Sequence, residues 1–489
     1  MKKTGQYPKQ SVPLDERIFY EIFVRSFYDT NGDGIGDLNG VTAKLDYLSE
    51  LGVNGIWLMP VHPSPSYHKY DVVDYYGIDP DYGTMEDMKR LLLEAHKRDI
   101  LVIIDMVLNH TSSQHYLFKE AKKGKDNPYR DYYVWSSDSM IQKKEPYHWH
   151  KNGNDPEKYY GFFWKGMPDL NYDNPAVREE MIRIGDFWIN EIGVDGFRLD
   201  AVKYIYPDSL IRKNVAWWKE YRSRLEKKGK DFFLVAEIWD DPDFIGPFLD
   251  SAIDAAFDFD LSFAVEDMLK EQRDPGLASI LQGIKKKYGE NSGSYYDAIF
   301  LKNHDQDRIA SILPDPRQAR LAATILFTLP GIPFVYYGEE IGMLGMKPDS
   351  FIREPFVWDV PGKDPGQTSW IKPRYSLPGK VIPARLQIAD TASLWFHYSR
   401  MIRLRKENSI LADGSIGSLE DLPANVCGYV LSDRNGEIMV IHNLTAKQLK
   451  LDTSNFHARG RILYCAGSFS GNRESLVLDP FESLICYRD

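Results

Sequence analysis

Gly196-Phe197-Arg198-Leu199-Asp200-Ala201 sets an arginine and an aspartate into an otherwise apolar run. Alternation with period two puts Arg198 and Asp200 on one face and Phe197 and Leu199 on the other. Two charges on the inner face of a buried strand are costly unless they pair or take part in chemistry. By itself this strand fits a structural ion pair as well as a reacting carboxylate.

The sequence on either side resolves the choice. Apolar strands are expected at residues 18–27, 55–60, 100–108, 196–201, 232–239, 255–261, 298–305 and 333–338. Amphipathic helices separate them. Leu38, Val41, Leu45, Leu48 and Leu51 recur at helical spacing, and Thr84 with Asp87 forms a capping box ahead of Met88, Leu91 and Leu92. Asn174-Pro175 starts the helix that leads back to the charged strand. Nearly continuous apolar strands alternating with helices make a parallel sheet covered by helices. Eight such units make a (β/α)₈ TIM barrel, an α/β fold. The rhythm breaks at 111–168, which is rich in Tyr, Trp, His, Lys and Asp and reads as an insertion domain after the third strand. From 409 to 489 short alternating strands form a C-terminal all-β sandwich. The barrel is then 1–110 with 169–408.

With 489 residues, 43% hydrophobic and 27% charged, the chain has ample core for these three parts. A net charge of -11 without a basic cluster argues against nucleic acid as a partner. No apolar run reaches the length of a membrane span. Thr4 to Pro8 is polar after Met1-Lys2-Lys3, so no signal peptide is expected; the reading is an intracellular protein, or an exported one whose signal was removed. Three cysteines, all near the end, make no disulfide framework. A monomer is expected.

His110, Asp200, Glu237 and Asp305 all fall at the C-terminal ends of expected strands, where such barrels carry their active sites. Three carboxylates meeting beside Arg198 suit glycoside hydrolysis with retention, which needs a nucleophile and an acid/base about 5 Å apart. Asp200 fits the nucleophile, kept ionised by Arg198. Glu237, beside Ile238 and Trp239, suits a raised pKa and proton donation. Asp305 would bind sugar hydroxyls and favour the charged transition state. His110 and His304 would clamp hydroxyls of the same sugar. After the first strand, Asp29, Asn31, Asp33 and Asp37 place oxygen side chains at regular spacing, with the Ile35 carbonyl between them. That is the donor pattern of a calcium loop, without the closing Glu of an EF-hand.

Over nearly its whole length the chain resembles the α-amylase family of glycoside hydrolases. The resemblance rests on Asp105-Met106-Val107-Leu108-Asn109-His110, on residues 196–200, on Glu237 in Val235-Ala236-Glu237-Ile238-Trp239, and on Leu301-Lys302-Asn303-His304-Asp305. It implies a retaining mechanism on an α-linked glucan. It also implies that Tyr70 stacks on, and Asp71 hydrogen-bonds, the glucose at the cleavage site. Lys203 and Arg353 complete the expected substrate contacts, Arg353 in Arg353-Glu354-Pro355, which resembles a cleft loop of oligosaccharide-acting relatives. The 29–37 loop resembles a calcium loop of part of the family, and Asn109 the ligand of a second calcium between barrel and insertion. Met167-Pro168-Asp169-Leu170-Asn171 is similar to the motif of neopullulanases and cyclomaltodextrinases, yet the first strand starts too early for their N-terminal domain. This combination resembles short α-amylases intermediate between that group and the oligo-1,6-glucosidases. Ala201 resembles the α-1,4-acting members; Tyr204 stands where α-amylases usually have histidine.

The expected activity is endo-hydrolysis of α-1,4 bonds in starch and maltooligosaccharides, with transglycosylation as a side reaction. The alternatives are an α-glucosidase or neopullulanase-like enzyme on short oligosaccharides, and a non-catalytic amylase-like binding subunit. The last would have lost carboxylates that this chain retains.

Overall fold

Eight short parallel strands close into a barrel: β1 (Phe19–Ile22), β2 (Gly55–Leu58), β3 (Leu101–Met106), then, after the insertion's β4 (Trp135–Ser136), β5 (Trp149–Lys151) and β6 (Lys158–Tyr160), β7 (Gly196–Leu199), β8 (Phe233–Ala236), β9 (Ala255–Phe257), β10 (Tyr296–Phe300) and β11 (Ile332–Tyr336). β1 pairs with β11 to complete the cylinder. This computed structural model describes residues 12–227, 229, 231–313, 315–452, 460–470 and 475–488, so the reading of the first eight residues lies outside it.

The alternation read from the charged strand is what the barrel uses. Phe19, Trp57, Ile103, Phe233, Val235, Phe257, Phe300 and Phe334 form one buried cluster inside the cylinder. Phe197 and Leu199 belong to the other cluster, between strands and helices. On the inward phase, one step above the apolar layer, Glu21, Asp105 and Arg198 replace hydrophobic residues; Asp105 and Arg198 are direct neighbours across β3 and β7. The polar mouth of the barrel is thus set by strand register.

Several expected strands end early. β1 stops at Ile22, and Val24–Phe27 is a helical turn. Val24 and Phe27 are as buried there as in a strand, so apolarity could not separate the two. The sixth strand covers only Ala255–Phe257, because the Asp258 carboxylate accepts from Leu261 N at 2.8 Å and caps the helix Phe259–Glu271. β3 ends at Met106 and β10 at Phe300, so His110 and Asp305 lie on the loops that follow. The capping box of Thr84 and Asp87 and the Asn174 cap form as expected.

Between β3 and the helix Pro175–Asp186 the chain folds a small sheet in the order β4-β6-β5. Aromatic contacts hold it: Phe118 stacks on Trp135 at 5.9 Å and meets Tyr159 edge-on at 4.9 Å. After the helix Ile410–Asp413 the chain makes β12 (Ser415–Ser418), β13 (Val426–Asp433), β14 (Gly436–Asn443), β15 (Leu449–Asp452), β16 (Ile462–Cys465), β17 (Gly467–Ser470), β18 (Ser475–Leu478) and β19 (Ser483–Arg488). They form an antiparallel five-stranded sheet and a three-stranded one, with Val426, Met439, Leu451, Leu476 and Leu484 in a shared core. Among the described residues no helix is long and apolar enough to cross a membrane.

Candidate active site

Local chemistry begins at Gly196. Its φ is +152°, and an added Cβ would lie 1.9 Å from the Phe233 carbonyl oxygen. Only glycine lets β7 approach β8 this closely. At the other end of β7, Ala201 takes the left-handed conformation, φ +52°. That costs a non-glycine residue roughly 1–2 kcal/mol. The turn aims the Ala201 amide at Glu237, whose Oε2 accepts it at 3.0 Å.

Between these points lies a hub. Arg198 Nη1 donates to Asp200 Oδ1 at 2.6 Å and to Asp105 Oδ1 at 2.8 Å, while its Nη2 lies 3.0 Å from Glu237 Oε2. One rigid guanidinium therefore holds Asp200 and Glu237 side by side. The guanidinium carbon sits 5.2 Å from the Trp57 ring centroid, which floors the cleft. Tyr70 Oη donates to Asp105 Oδ2 at 3.0 Å and lies 2.7 Å from His304 Nε2; its ring stacks on the imidazole at 5.5 Å. His304 Nε2 also lies 3.0 Å from Asp305 Oδ2, and Arg353 Nη2 donates to Asp305 Oδ1 at 2.9 Å. Arg353 is itself fixed: its Nε donates to His304 O, and its own carbonyl accepts from Ser26 Oγ at 2.5 Å.

Electrostatics divides the carboxylates. Burial pushes the Asp200 and Glu237 carboxyls up, and Arg198 offsets only part of it. The expectation that Arg198 would dominate at Asp200 thus needs the desolvation cost added. Asp200 has the shorter bond to the guanidinium and the less exposed side chain, 10% against 19% for Glu237. The short bond to the guanidinium favours the charged form of Asp200 and its deeper burial opposes it; the proton that the two carboxyls hold is shared by a pair bound to one arginine. Asp305 differs: burial raises its carboxyl, but His304, Arg353 and Arg198 outweigh that and hold it well below the usual range. Asp105, buried behind Arg198, is raised to about 7.

The other expected contacts are placed around this group. His110 lies behind Tyr70, its Nε2 donating to the Tyr70 carbonyl at 3.2 Å; burial lowers it to about 4, so it is neutral near pH 7. The Asp71 carboxylate accepts from the hydroxyls of Ser64, at 2.6 Å, and Ser66. Lys203 sits at the rim, bound to Asp240 at 2.6 Å. Tyr204, where histidine was the family expectation, packs 4.2 Å from Phe162 of the insertion. Phe163, 5.6 Å from Tyr204 and 5.3 Å from His110, is more than 40% exposed, as are its neighbour Trp164 and Trp239, two residues after Glu237. Glu21 and Trp57 were not singled out in the sequence, although Glu21 is the one acid in the apolar run 18–24 and shares the inward phase of Phe19.

The 29–37 loop follows the helical turn Val24–Phe27 and binds its own amides. Asp29 accepts from the amides of Asn31, Gly32 and Gly34, Asn31 from that of Asp33, and Asp33 from that of Ile35. Asp37 accepts from Thr30 and caps the next helix at Gly40. Among the described residues no three Asp, Glu, His or Cys side chains gather into a metal cage. The donor set is still all oxygen, and carboxylates carry more lone pairs than these amides use. Asn109 Oδ1 is buried without a hydrogen-bond partner.

A model of the α-amylase catalytic domain matches residues 21–414. The chain belongs to the α-amylase family. As a member of this family it is a glycoside hydrolase with the TIM barrel and C-terminal antiparallel domain described above. It is 43% identical to alpha-amylase 3 of Dictyoglomus thermophilum over 96% of this chain and 92% of that one. It is 36% identical to a 4-alpha-glucanotransferase of Thermotoga neapolitana over 88% of this chain and 96% of that one. The crystal structure of an alpha-amylase from H. orenii superimposes with a TM-score of 0.87 at 39% identity, covering 96% of this chain and 99% of the other.

Proposed function

We propose that this α-amylase-family enzyme cleaves internal α-1,4 bonds of starch and maltooligosaccharides, with Asp200 as nucleophile, Glu237 as acid/base and Asp305 as transition-state stabiliser. The observation that carries this reading is the single Arg198 guanidinium bound to both Asp200 and Glu237. Asp200 Oδ attacks the anomeric carbon and forms a glycosyl ester while Glu237 gives its proton to the leaving oxygen. Glu237 then takes a proton from water, which opens the ester with overall retention. Tyr70 offers an aromatic face to the reacting sugar, and Arg353 and His304 hold Asp305 ionised against it. The exposed Phe163, Trp164 and Trp239 offer faces for sugars beyond the scissile bond. A sugar held there can replace water as acceptor, so the reading includes transglycosylation, in line with the glucanotransferase likeness.

The reading extends to calcium at Asp29, Asn31, Asp33, Ile35 and Asp37, as a hard cation that would tie the loop after β1, and to a second calcium at Asn109. Neither ion takes part in the chemical step. The enzyme is taken to act as a monomer on a glucan, with neither nucleic acid nor membrane as partner. A product time course on maltoheptaose and amylose tests the activity. Mixed maltooligosaccharides from the first minutes are expected; glucose alone from the outset would replace the endo reading with an exo-glucosidase.

A further inference from the structure

Glu21 is a buried carboxylate at the mouth of the barrel with no assigned part in the reaction. Its Oε1 lies 2.5 Å from His304 Nδ1, and the two side chains are 2% and 1% exposed. The other ring nitrogen, Nε2, faces Asp305 Oδ2 at 3.0 Å and Tyr70 Oη at 2.7 Å. Tyr70 gives its own proton to Asp105, so towards His304 it acts as acceptor. The imidazole therefore has acceptors on both nitrogens, and only the doubly protonated ring satisfies both sides.

We propose that Glu21 is a positioning residue of the active site: by binding Nδ1 of His304 it keeps an N–H on Nε2, directed at Asp305. This rests on the role proposed for Asp305 above. The chemistry is specific. Take away the Glu21 charge and a neutral imidazole keeps one proton. If that proton sits on Nδ1, the Nε2 lone pair faces the Asp305 carboxylate; if it sits on Nε2, with Nδ1 accepting from a glutamine amide, the N–H stays but the ring's positive charge beside Asp305 is lost.

Every charged or titratable group around the ring bears on this. Burial opposes the cation, but Asp305 and Glu21 prevail and raise His304 to about 9. Asp105 of β3 and Asp200 beyond β7 also sense its charge. Arg353, bound to the His304 carbonyl, adds a nearby positive charge. Trp57 of β2 meets the ring edge-on at 5.6 Å. Tyr336 of β11 and Glu339 just beyond it lie near Glu21. Removing one anion at bonding distance lowers a cationic pKa by about 1–3 units.

The test compares wild type with Glu21→Gln, which preserves shape and an acceptor, and Glu21→Asp, which preserves charge. Imidazoles are labelled with ¹⁵N and followed by NMR, with His304 assigned by the signal missing in His304→Asn. Glu21→Gln is expected to lower the His304 midpoint by about 1–3 units. It is expected to cut kcat on maltoheptaose roughly tenfold or more, with a smaller change in KM. Glu21→Asp should recover part of both. An unchanged midpoint, or a lowered midpoint with the wild-type kcat–pH profile, would overturn the proposal. Should Glu21→Gln not fold, the wild-type titration decides: a His304 midpoint below pH 7 also overturns it. Asp305→Asn separates the two layers, because full turnover in that variant would remove the proposed stabiliser rather than the role of Glu21.

Discussion

Asp200 Oδ1 accepts from Arg198 Nη1 over 2.6 Å, Arg198 lying on β7 and Asp200 one residue past its end. The bond depends on an alternation that sends both side chains into the barrel mouth. It also shows what a substitution there would do. In Asp200→Asn, Arg198 keeps Asp105 and Glu237 as partners, so the fold should hold while the nucleophile is lost. Turnover should fall roughly ten-thousand-fold or more. Parallel assays of maltoheptaose hydrolysis and circular-dichroism melting check both halves.

The pH dependence follows from the two raised carboxyls. Asp200 must be ionised to attack, so activity rises as pH climbs through its pKa. Glu237 must be protonated to donate, so activity falls as pH climbs through its pKa. Burial raises both, which places the bell above the ordinary carboxylate range near about 4. Glu237→Gln should erase the alkaline limb. It should also spare α-glucosyl fluoride, whose leaving group needs no proton, far more than maltoheptaose. Rate–pH profiles on both substrates check this.

Gly196→Ala tests how β7 is seated. With an added Cβ 1.9 Å from the Phe233 carbonyl oxygen, β7 and β8 must separate, and Arg198 moves with them. Loss of soluble folded protein, or a melting temperature lower by several degrees together with lost activity, is expected. Thermal melting and turnover of the variant give the answer.

Much of this site was legible in the sequence because apolar strands leave charged residues conspicuous. Arg198, Asp200, Glu237, His304, Asp305, Tyr70 and Arg353 do come together. Strand ends were less legible: Val24–Phe27 is as apolar as β1, and only the closing of the ladder with β2 and β11 tells helix from strand. The sheet of the insertion was hidden because its strands have two or three residues, too few to show alternation. Glu21 left a trace, a single acid on the inward phase, but its meaning depends on His304, 283 residues away. His110 was expected at the sugar from its place at a strand end and Asp71 from the family resemblance; the sequence left unread the Tyr70 carbonyl that His110 meets and the two serine hydroxyls that Asp71 accepts.

Away from the cleft, Asp297 of β10 is buried against the acidic Asp258, to which it bonds only when one of the two carries a proton. Burial raises Asp297 to about 7, with Lys285 pulling the other way. An acid whose folded pKa is raised loses stability as pH climbs from its unfolded value, about 3.9, to the folded one. Above both, the full cost remains. Asp297→Asn removes that cost, so its melting temperature at pH 8 should exceed the wild type's by about 1–2 °C. Near pH 4 the two should converge. Melting curves across pH 4–8 measure the difference.

If the 29–37 loop holds calcium, chelation should lower the melting temperature, and Asp29→Asn should abolish that response. Melting with and without chelator, then with calcium restored, checks it. An identical melt in all three states would remove the ion from the account.

The most direct test of the central claim is to trap the covalent intermediate and find the residue that carries it. A fluorinated α-glucosyl fluoride that forms the ester quickly and loses it slowly would be reacted with the enzyme, which is then digested and sequenced by mass spectrometry. The sugar is predicted on Asp200 in the peptide that contains Arg198. A sugar on Glu237 or Asp305, or a product of inverted configuration with no adduct, would contradict the assignment.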